Sequence, residues 1–238
     1  MKDACRISAQ ALRAAGEAIR PGVSTLEIDT IVRHYIEKQG ATPSFLGYGG
    51  FPASACISVN NVVIHGIPDK YTVLREGDIV SVDTGAYYKG YHGDNAYTFA
   101  CGRISENAEK LLNATRESLY EGIKQATVGN RIGDIGSAVQ RYVEARSYSV
   151  VRNYVGHGVG ANLHEDPSVP NYGTPNRGLK LLPGMTIAIE PMVNEGTYHV
   201  RVMPDKWTVK TVDGKLSAHF EHTVAITPDG PRIMTICD

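Results

Sequence analysis

The sequence predicts an α+β fold of two similar halves, in which antiparallel strands carry helices on their outer face. The main observation is an internal repeat, because one shift of 107 residues aligns a helix and a strand of the first half with those of the second. The aligned pairs include Gly22 with Gly129, Ile28 with Ile135, Tyr35 with Tyr142, Gly77 with Gly184 and Asp83 with Glu190. The other two observations are a strand pair at 77–102 and amphipathic helices in both halves. Matching glycines and a matching acid at the strand ends disfavour chance similarity between helices.

Composition limits the function classes. A single domain is expected over residues 1–238, because Pro and Gly are dispersed and no linker or low-complexity segment appears. The net charge of −1 and the lack of a basic run argue against a nucleic-acid partner. No apolar run approaches the roughly 18 residues that cross a bilayer, and Arg6 and Arg13 interrupt the N-terminal segment where a signal peptide would be apolar. The four cysteines have no close spacing, which indicates a reducing compartment, and we expect a cytoplasmic protein.

Four helices are predicted from apolar residues at helical spacing and from capping residues. Pro21-Gly22 ends the first helix, and Ser24 or Thr25 caps the second, which ends at Gly40. The third begins at Ser105. In order, the helices are expected at residues 2–20, 24–40, 105–123 and about 132–146.

Strands and loops fill the remaining chain. Residues 43–53, PSFLGYGGFPA, are predicted to form a loop because they are rich in Gly, Pro and aromatic residues. Residues 55–64, ACISVNNVVI, are predicted to form a hairpin with Asn60-Asn61 at its turn. From residue 150 onward, short strands and loops alternate.

The hairpin at 77–102 contains two acids, Asp83 and Asp94. Their midpoint falls beside Lys89, so a tight turn there would set the two side chains opposite each other, with Cβ atoms about 4.5–5.5 Å apart. Two carboxylates at that distance repel unless a cation or a shared proton lies between them. From the hairpin alone, a metal-binding pair and a pair of solvent-facing acids are about equally favoured.

Three further residues extend this candidate site. Glu190 ends the apolar run LLPGMTIAIE, Glu221 lies among apolar neighbours in SAHFEHTVAI, and His157 is flanked by glycines in VGHGVG. With Asp83 and Asp94 they supply four carboxylates and one imidazole, a set that suits two divalent ions such as Mn²⁺, Fe²⁺, Co²⁺ or Zn²⁺. Two ions bridged by carboxylates activate water and polarise a carbonyl, so the set indicates hydrolysis. Four other histidines are interpreted as structural: His92, His199, His219 and His222.

Five segments carry a resemblance to a known family: HGIP at 65–68, VDTGAYYKGYHGDNAYTF at 82–99, GHGVGANLHEDPSVPNYG at 156–173, LLPGMTIAIEPM at 181–192 and FEHTVAIT at 220–227. Together they resemble the methionine aminopeptidases, and the short bacterial type I form in particular. The resemblance covers nearly the whole chain. It implies the pita-bread fold, and an enzyme that hydrolytically removes N-terminal methionine from nascent proteins and peptides with a small second residue.

The resemblance also implies residue roles. The metal ligands would be Asp83, Asp94, His157, Glu190 and Glu221, with Asp94 and Glu221 as the bridging pair. His164 would face the scissile carbonyl, His65 the adjoining peptide, and Glu190 would take a proton from the attacking water and help deliver it to the leaving amine.

A methionine pocket is implied at Tyr48, Phe51, Cys56, Leu163 and Trp207, with Phe45 at its rim. Gly49 and Leu163 depart from the bulkier and aromatic residues usual in the family, which could alter the pocket entrance and shape. A monovalent-cation site would involve Asn60, Val62 and Ser217.

Two alternatives stay open at this stage. X-Pro aminopeptidases and dipeptidases share the fold and ligands but usually carry an additional N-terminal domain. A non-catalytic binding module of the same fold is the other alternative, although such relatives tend to lose ligands and all five are present here. We expect a monomer that acts on the N-terminal peptides of nascent proteins, with contact to the ribosome and with no membrane partner.

Overall fold

The helices lie close to where the sequence predicts them. The computed structural model describes residues 1–236, so Cys237 lies outside the described residues. Ser24 caps the second helix through a capping box, in which its side chain accepts from the Glu27 N–H and its own N–H donates to the Glu27 carboxylate. Ser105 caps the third in the same position, accepting from the Ala108 N–H. The helices are α1 (Lys2–Ala18), α2 (Thr25–Lys38), α3 (Glu106–Gln125) and α4 (Ile132–Glu144), with a short 3₁₀ turn at Tyr48–Gly50.

Short strands make up most of the remaining ordered chain, and all of their pairings are antiparallel. Their order along the chain is β1 (Thr42–Pro43), β2 (Ala55–Val59), β3 (Val62–Ile64), β4 (Ile79–Tyr88), β5 (Tyr91–Ala100), β6 (Ser149–Val150), β7 (Gly156–Gly158), β8 (Glu165–Val169), β9 (Thr186–Ile189), β10 (Met192–Asn194), β11 (Val200–Val202), β12 (Val209–Thr211), β13 (Ser217–His219), β14 (His222–Thr227) and β15 (Gly230–Ile233). The predicted α+β class is therefore confirmed.

The predicted hairpin at 55–64 is wrong in its pairing. Strands β2 and β3 do flank a turn at Asn60-Asn61, but they belong to different sheets. Strand β2 pairs with β4, and β3 pairs with β12 in the second half of the chain. The strand propensity of the segment was predicted correctly, whereas its partners come from regions 20 or more residues away in sequence.

The central hairpin of β4 and β5 forms as predicted, but its register differs. The turn is Lys89-Gly90, where both residues have positive φ, at 49° and 84°, as a two-residue type I′ turn requires. Tyr88 therefore pairs with Tyr91, and Asp83 pairs with Ala96 rather than with Asp94. The two acids are diagonal neighbours on one face of the sheet, for which the usual separation is about 7–8 Å.

The two-fold repeat extends to backbone conformation. Gly22 and Gly129 have φ of 92° and 96°, values that favour glycine. An isolated bridge joins Ser24 to Val73, and its counterpart joins Arg131 to Lys180, so both ends move by the same 107 residues. Helices α2 and α4 also begin at equivalent positions, Thr25 and Ile132.

Each half has its own apolar core. In the first half, α1 and α2 pack against β4 around residues such as Ile7, Ile28 and Val82. In the second half, α3 and α4 pack around Leu119 and Ile187. Tyr97 on β5 contacts both cores, so the central hairpin joins the halves and carries its two acids to the seam. Within residues 1–236, no helix is both long enough and apolar enough to cross a membrane.

Candidate active site

The acids of the site come from the central hairpin and from the second half of the chain. Asp83 pairs with Ala96 across the hairpin. The backbone of Ala96 in turn exchanges two hydrogen bonds with that of Glu221, at 2.9 and 3.4 Å. Glu221 is therefore placed beside both hairpin acids, although more than 120 residues separate it from Asp94. Burial of the apolar strand residues around these positions forces the carboxylates together.

His157 and Glu190 complete the cluster. His157 lies on β7, and its Nε2 atom is 3.8 Å from Asp94 Oδ2 and 3.5 Å from Glu190 Oε1. Ligand-type atoms of Asp94, His157 and Glu221 all lie within 4.8 Å of one another. Glu190 directly follows β9, whose ladder with β14 keeps it close to Glu221. The structure thus brings together all five residues for which the sequence predicts metal binding.

Several carboxylate oxygens in the cluster lack hydrogen-bond partners. Asp83 Oδ1, Asp94 Oδ1 and Glu221 Oε1 are buried and have no partner within residues 1–236. Leaving a buried acceptor unpaired costs about 1–3 kcal/mol. Because uncompensated acids are concentrated in one place and aim at one space, the arrangement fits a divalent cation bound among them.

The charges in the cluster destabilise one another in the absence of a cation. Burial, followed by repulsion from Asp94, holds the pKa of Asp83 well above its usual range. Burial likewise raises the pKa of Asp94. For Glu190 and Glu221 burial is again the larger cause of a raised pKa, and the neighbouring carboxylates add to it. A bound divalent ion would offset this repulsion and favour the ionised ligands.

His157 is oriented as a nitrogen ligand. Its Nδ1 atom lies 2.9 Å from the Gly158 carbonyl oxygen, so Nδ1 carries the proton and Nε2 faces the carboxylates with a free lone pair. Burial is the main cause that lowers the pKa of His157 to about 4. The imidazole is therefore neutral near pH 7, as metal ligation requires.

An apolar cavity opens directly from the acid cluster. Its walls contain every residue for which the sequence predicts a place in the substrate pocket: Phe45, Tyr48, Phe51, Cys56, Leu163 and Trp207. Trp207 packs edge-on against Phe51 and against His65, with ring centroids 5.1 and 6.1 Å apart. Ile64, Tyr154 and Val155 also line the cavity, and sequence reasoning did not identify them.

The two histidines expected to face the substrate lie at this cavity. His65 directly follows β3 and has a positive φ of 56°, in the left-handed region where non-glycine residues are uncommon. Burial lowers its pKa to about 4. The His164 ring lies 4.2 Å from the His157 ring, centroid to centroid, and its Nδ1 is 2.7 Å from the Tyr48 hydroxyl oxygen.

His219 has a place in the site that the sequence interpretation missed. Its Nε2 lies 3.6 Å from Glu190 Oε2, and the side chain is 2% exposed. This nitrogen has no hydrogen-bond partner within residues 1–236, and burial is the main cause that lowers the pKa of the ring to about 3. The spacing could have indicated this contact, since His219 and Glu221 are two residues apart in an extended segment and share a face.

The remaining sequence predictions concern structural histidines and a monovalent-cation site. His92 and His222 bind the hydroxyls of Ser44 and Thr235 through Nδ1, in agreement with a structural role. The Asn60 carbonyl accepts from the Ser217 N–H at 2.9 Å, so two of the three residues expected at a monovalent-cation site are neighbours.

Known proteins provide an independent comparison. A model of metallopeptidase family M24 matches residues 1–228. A methionine aminopeptidase of Clostridium acetobutylicum is 54% identical over 238 residues, which covers 100% of this chain and 95% of that protein. The crystal structure of methionine aminopeptidase from Thermotoga maritima has a TM-score of 0.97 at 48% identity, covering 99% of this chain and 94% of that one. The prolidase from Pyrococcus horikoshii has a TM-score of 0.80 at 24% identity and is covered over 61% of its chain, a likeness of fold alone.

Proposed function

The chain belongs to metallopeptidase family M24, and from this premise we propose that it removes N-terminal methionine from peptides by hydrolysis. It has the pita-bread fold that the sequence resemblance implied. The observation that carries the proposal is the meeting of an apolar, sulfur-containing pocket with a buried cluster of four carboxylates and one imidazole. The pocket suits an unbranched thioether side chain, and the cluster suits metal-assisted hydrolysis.

The cluster would hold two divalent ions, with Co²⁺, Mn²⁺, Fe²⁺ and Zn²⁺ as the candidates. The residues that would hold them are Asp83, Asp94, His157, Glu190 and Glu221. When bound, such ions polarise the scissile carbonyl and lower the pKa of water. We also propose a monovalent cation near Asn60, Val62 and Ser217, which would support β3 and β13 rather than the reaction.

Three side chains in or near the cluster have further proposed roles in the reaction. His164 lies at the mouth of the cavity and would donate a hydrogen bond to the scissile carbonyl oxygen as negative charge develops there. His65, on the Trp207 side, would bind the adjoining peptide. Glu190 would accept a proton from the attacking water and return it to the leaving amine.

The pocket would select the first residue of the substrate. Cys56 and Leu163 are almost fully buried in it, and Trp207 closes one side. The free α-amine of a peptide would bind at the ion-loaded acid cluster at the inner end, so only the first residue of a peptide would be placed for cleavage. The preferred substrates would be new proteins with a small second residue.

The cellular setting follows from that substrate. We propose a cytoplasmic enzyme that acts as a monomer, with residues 1–238 forming one catalytic domain, on nascent chains near the ribosome. A proline-directed activity and a non-catalytic role are the alternatives. The fold likeness to prolidase permits the first of these, but the apolar pocket favours methionine.

A peptide panel tests the proposal. The protein is freed of metal, loaded with Co²⁺, Mn²⁺ or Fe²⁺, and given Met-Ala-Ser, Met-Pro and Ala-Pro peptides. Metal-dependent release of methionine from Met-Ala-Ser, with little cleavage of the proline peptides, is expected. Preferred cleavage of a proline peptide would overturn the assignment of substrate, and metal binding without cleavage of any peptide would support the non-catalytic alternative.

A further inference from the structure

Tyr48 and His164 form a direct contact at the mouth of the cavity. The Tyr48 hydroxyl oxygen lies 2.7 Å from His164 Nδ1, and the two residues are 116 positions apart in the chain. Tyr48 begins the short 3₁₀ turn, and His164 directly precedes β8. The ring centroids are 5.1 Å apart with the planes tilted by 46°, so the contact is made through the hydroxyl rather than by stacking.

The acidities of the Tyr48 phenol and the His164 imidazole indicate which group donates the hydrogen bond. Within residues 1–236, neither side chain makes another hydrogen bond. A phenol is a stronger acid than a neutral imidazole N–H, and an unprotonated imidazole nitrogen is a good acceptor. These acidities favour donation from the Tyr48 O–H group to Nδ1, which leaves the proton of the neutral imidazole on Nε2.

The hydroxyl is not needed for the walls of the pocket. Phe45 and Phe51 occupy the same lining without a hydroxyl group. Tyr48 is also 45% exposed, whereas Phe51 is 3% exposed, so Tyr48 contributes less to the buried apolar wall. A phenylalanine at position 48 would line the pocket equally well, which leaves the hydrogen bond to His164 as the function of the hydroxyl.

We propose that Tyr48 is a positioning residue that holds His164 in the Nε2–H tautomer, so that Nε2 donates to the carbonyl oxygen of the substrate. This proposal rests on the proposed function of His164. The other tautomer would present a lone pair to the carbonyl oxygen and repel it. Fixing the tautomer before substrate binds keeps the donor in place as negative charge develops in the transition state.

Nitrogen-15 NMR of the metal-free protein, labelled at histidine and held at pH 8, tests the tautomer without any turnover. A protonated and an unprotonated ring nitrogen have well-separated chemical shifts. We expect His164 to show an unprotonated, hydrogen-bonded Nδ1 and a protonated Nε2. In Tyr48→Phe the spectrum should move toward a mixture of tautomers, whereas Tyr154→Phe removes another hydroxyl from the cavity and should leave it unchanged. A protonated Nδ1 in the wild type, or an unchanged spectrum in Tyr48→Phe, would overturn the proposal.

Steady-state kinetics provide a second test of the role of Tyr48. Tyr48→Phe should lower kcat for Met-Ala-Ser about 10- to 100-fold, the usual effect of losing an orienting partner, with KM changed less than about twofold because the ring remains. In a His164→Ala background, Tyr48→Phe should not lower kcat any further, since the two residues act as one unit. An equal loss in both backgrounds would show that Tyr48 acts structurally and contradict the proposal. A wild-type protein that releases no methionine would refute the proposed function, while the NMR result would still decide the tautomer.

Discussion

Thr223 and Asp94 join the two halves of the molecule through the site itself. The Thr223 hydroxyl donates to the Asp94 carbonyl oxygen at 2.8 Å and accepts from the Asp94 N–H at 3.2 Å, across 129 residues of chain. Both residues are buried. One hydroxyl of β14 therefore satisfies both backbone polar groups of Asp94, a proposed metal ligand.

Thr223→Val should weaken both the fold and the site. The substitution keeps the shape but leaves the N–H and carbonyl of Asp94 without that partner, so the free energy of unfolding should fall by about 1–3 kcal/mol. Denaturant unfolding measures this change, and calorimetric titration should show weaker metal binding. Thr227→Val is the matched control, because Thr227 lies on the same strand and its hydroxyl donates, within residues 1–236, only to the Gly230 carbonyl oxygen. Equal loss of metal affinity in both variants would refute the link to Asp94.

Removing one charge from the cluster should raise the stability of the metal-free protein and lower its activity with metal. In the metal-free protein the carboxylate of Asp94 is buried near like charges, so Asp94→Asn should raise the melting temperature at pH 8. The same variant should lose at least about 100-fold in activity, since a ligand matters no less than its orienting partners. It should also lose most of the melting-temperature increase that Mn²⁺ or Co²⁺ gives the wild type. A metal-free variant less stable than the wild type would contradict this account of the cluster.

Gly49 should control the position of Trp207. Gly49 has a φ of 56°, and a Cβ atom there would lie 3.3 Å from Trp207 Cη2. Gly50 also has a positive φ, 90°, but a Cβ atom there would meet nothing within 4 Å. Alanine at either position should cost about 1–2 kcal/mol of stability through backbone strain. Only Gly49→Ala should shift the fluorescence of Trp207, the single Trp of the chain, and raise KM for methionine peptides. A shift of the same size in Gly50→Ala would contradict the contact.

His219 should assist Glu190. His219→Leu removes the neutral imidazole beside Glu190 Oε2 and should lower kcat about 10-fold, the lower end of the effect of losing an orienting partner. His219→Gln can place an amide nitrogen near the position of Nε2 and should retain more activity at similar volume. Steady-state kinetics with Met-Ala-Ser measure both variants. Wild-type kcat in His219→Leu would show that the contact does not contribute to the reaction.

Features that depend on local sequence patterns could be predicted, whereas contacts between distant segments of the chain mostly could not. The clustering of the acids could be predicted because Asp83 and Glu190 each follow an apolar run in the sequence, where an unpaired charge is costly, and because the repeat relates them. In the structure Asp83 lies within β4 rather than at its end. The helices followed from local caps and apolar spacing. The predicted register of the central hairpin was wrong because Lys89-Gly90, as the two turn residues, pairs Asp83 with Ala96. Only a turn one residue earlier, without the favoured Gly, would set Asp83 opposite Asp94. The contact of Tyr48 with His164 depends on chain packing over a long separation, so no local pattern indicates it. For His219, the spacing of two residues from Glu221 was the one local signal of its place in the site.

The most direct test of the central claim compares Met-Ala-Ser with its N-acetylated form, using the metal-free protein and the protein titrated with Mn²⁺ or Co²⁺. We expect release of free methionine that rises with added metal and occurs only from the peptide with a free α-amine, because the buried cluster of Asp83, Asp94, His157, Glu190 and Glu221 is proposed to hold both the metal and the peptide terminus. Methionine release by the metal-free protein, or equal cleavage of the acetylated peptide, would contradict it.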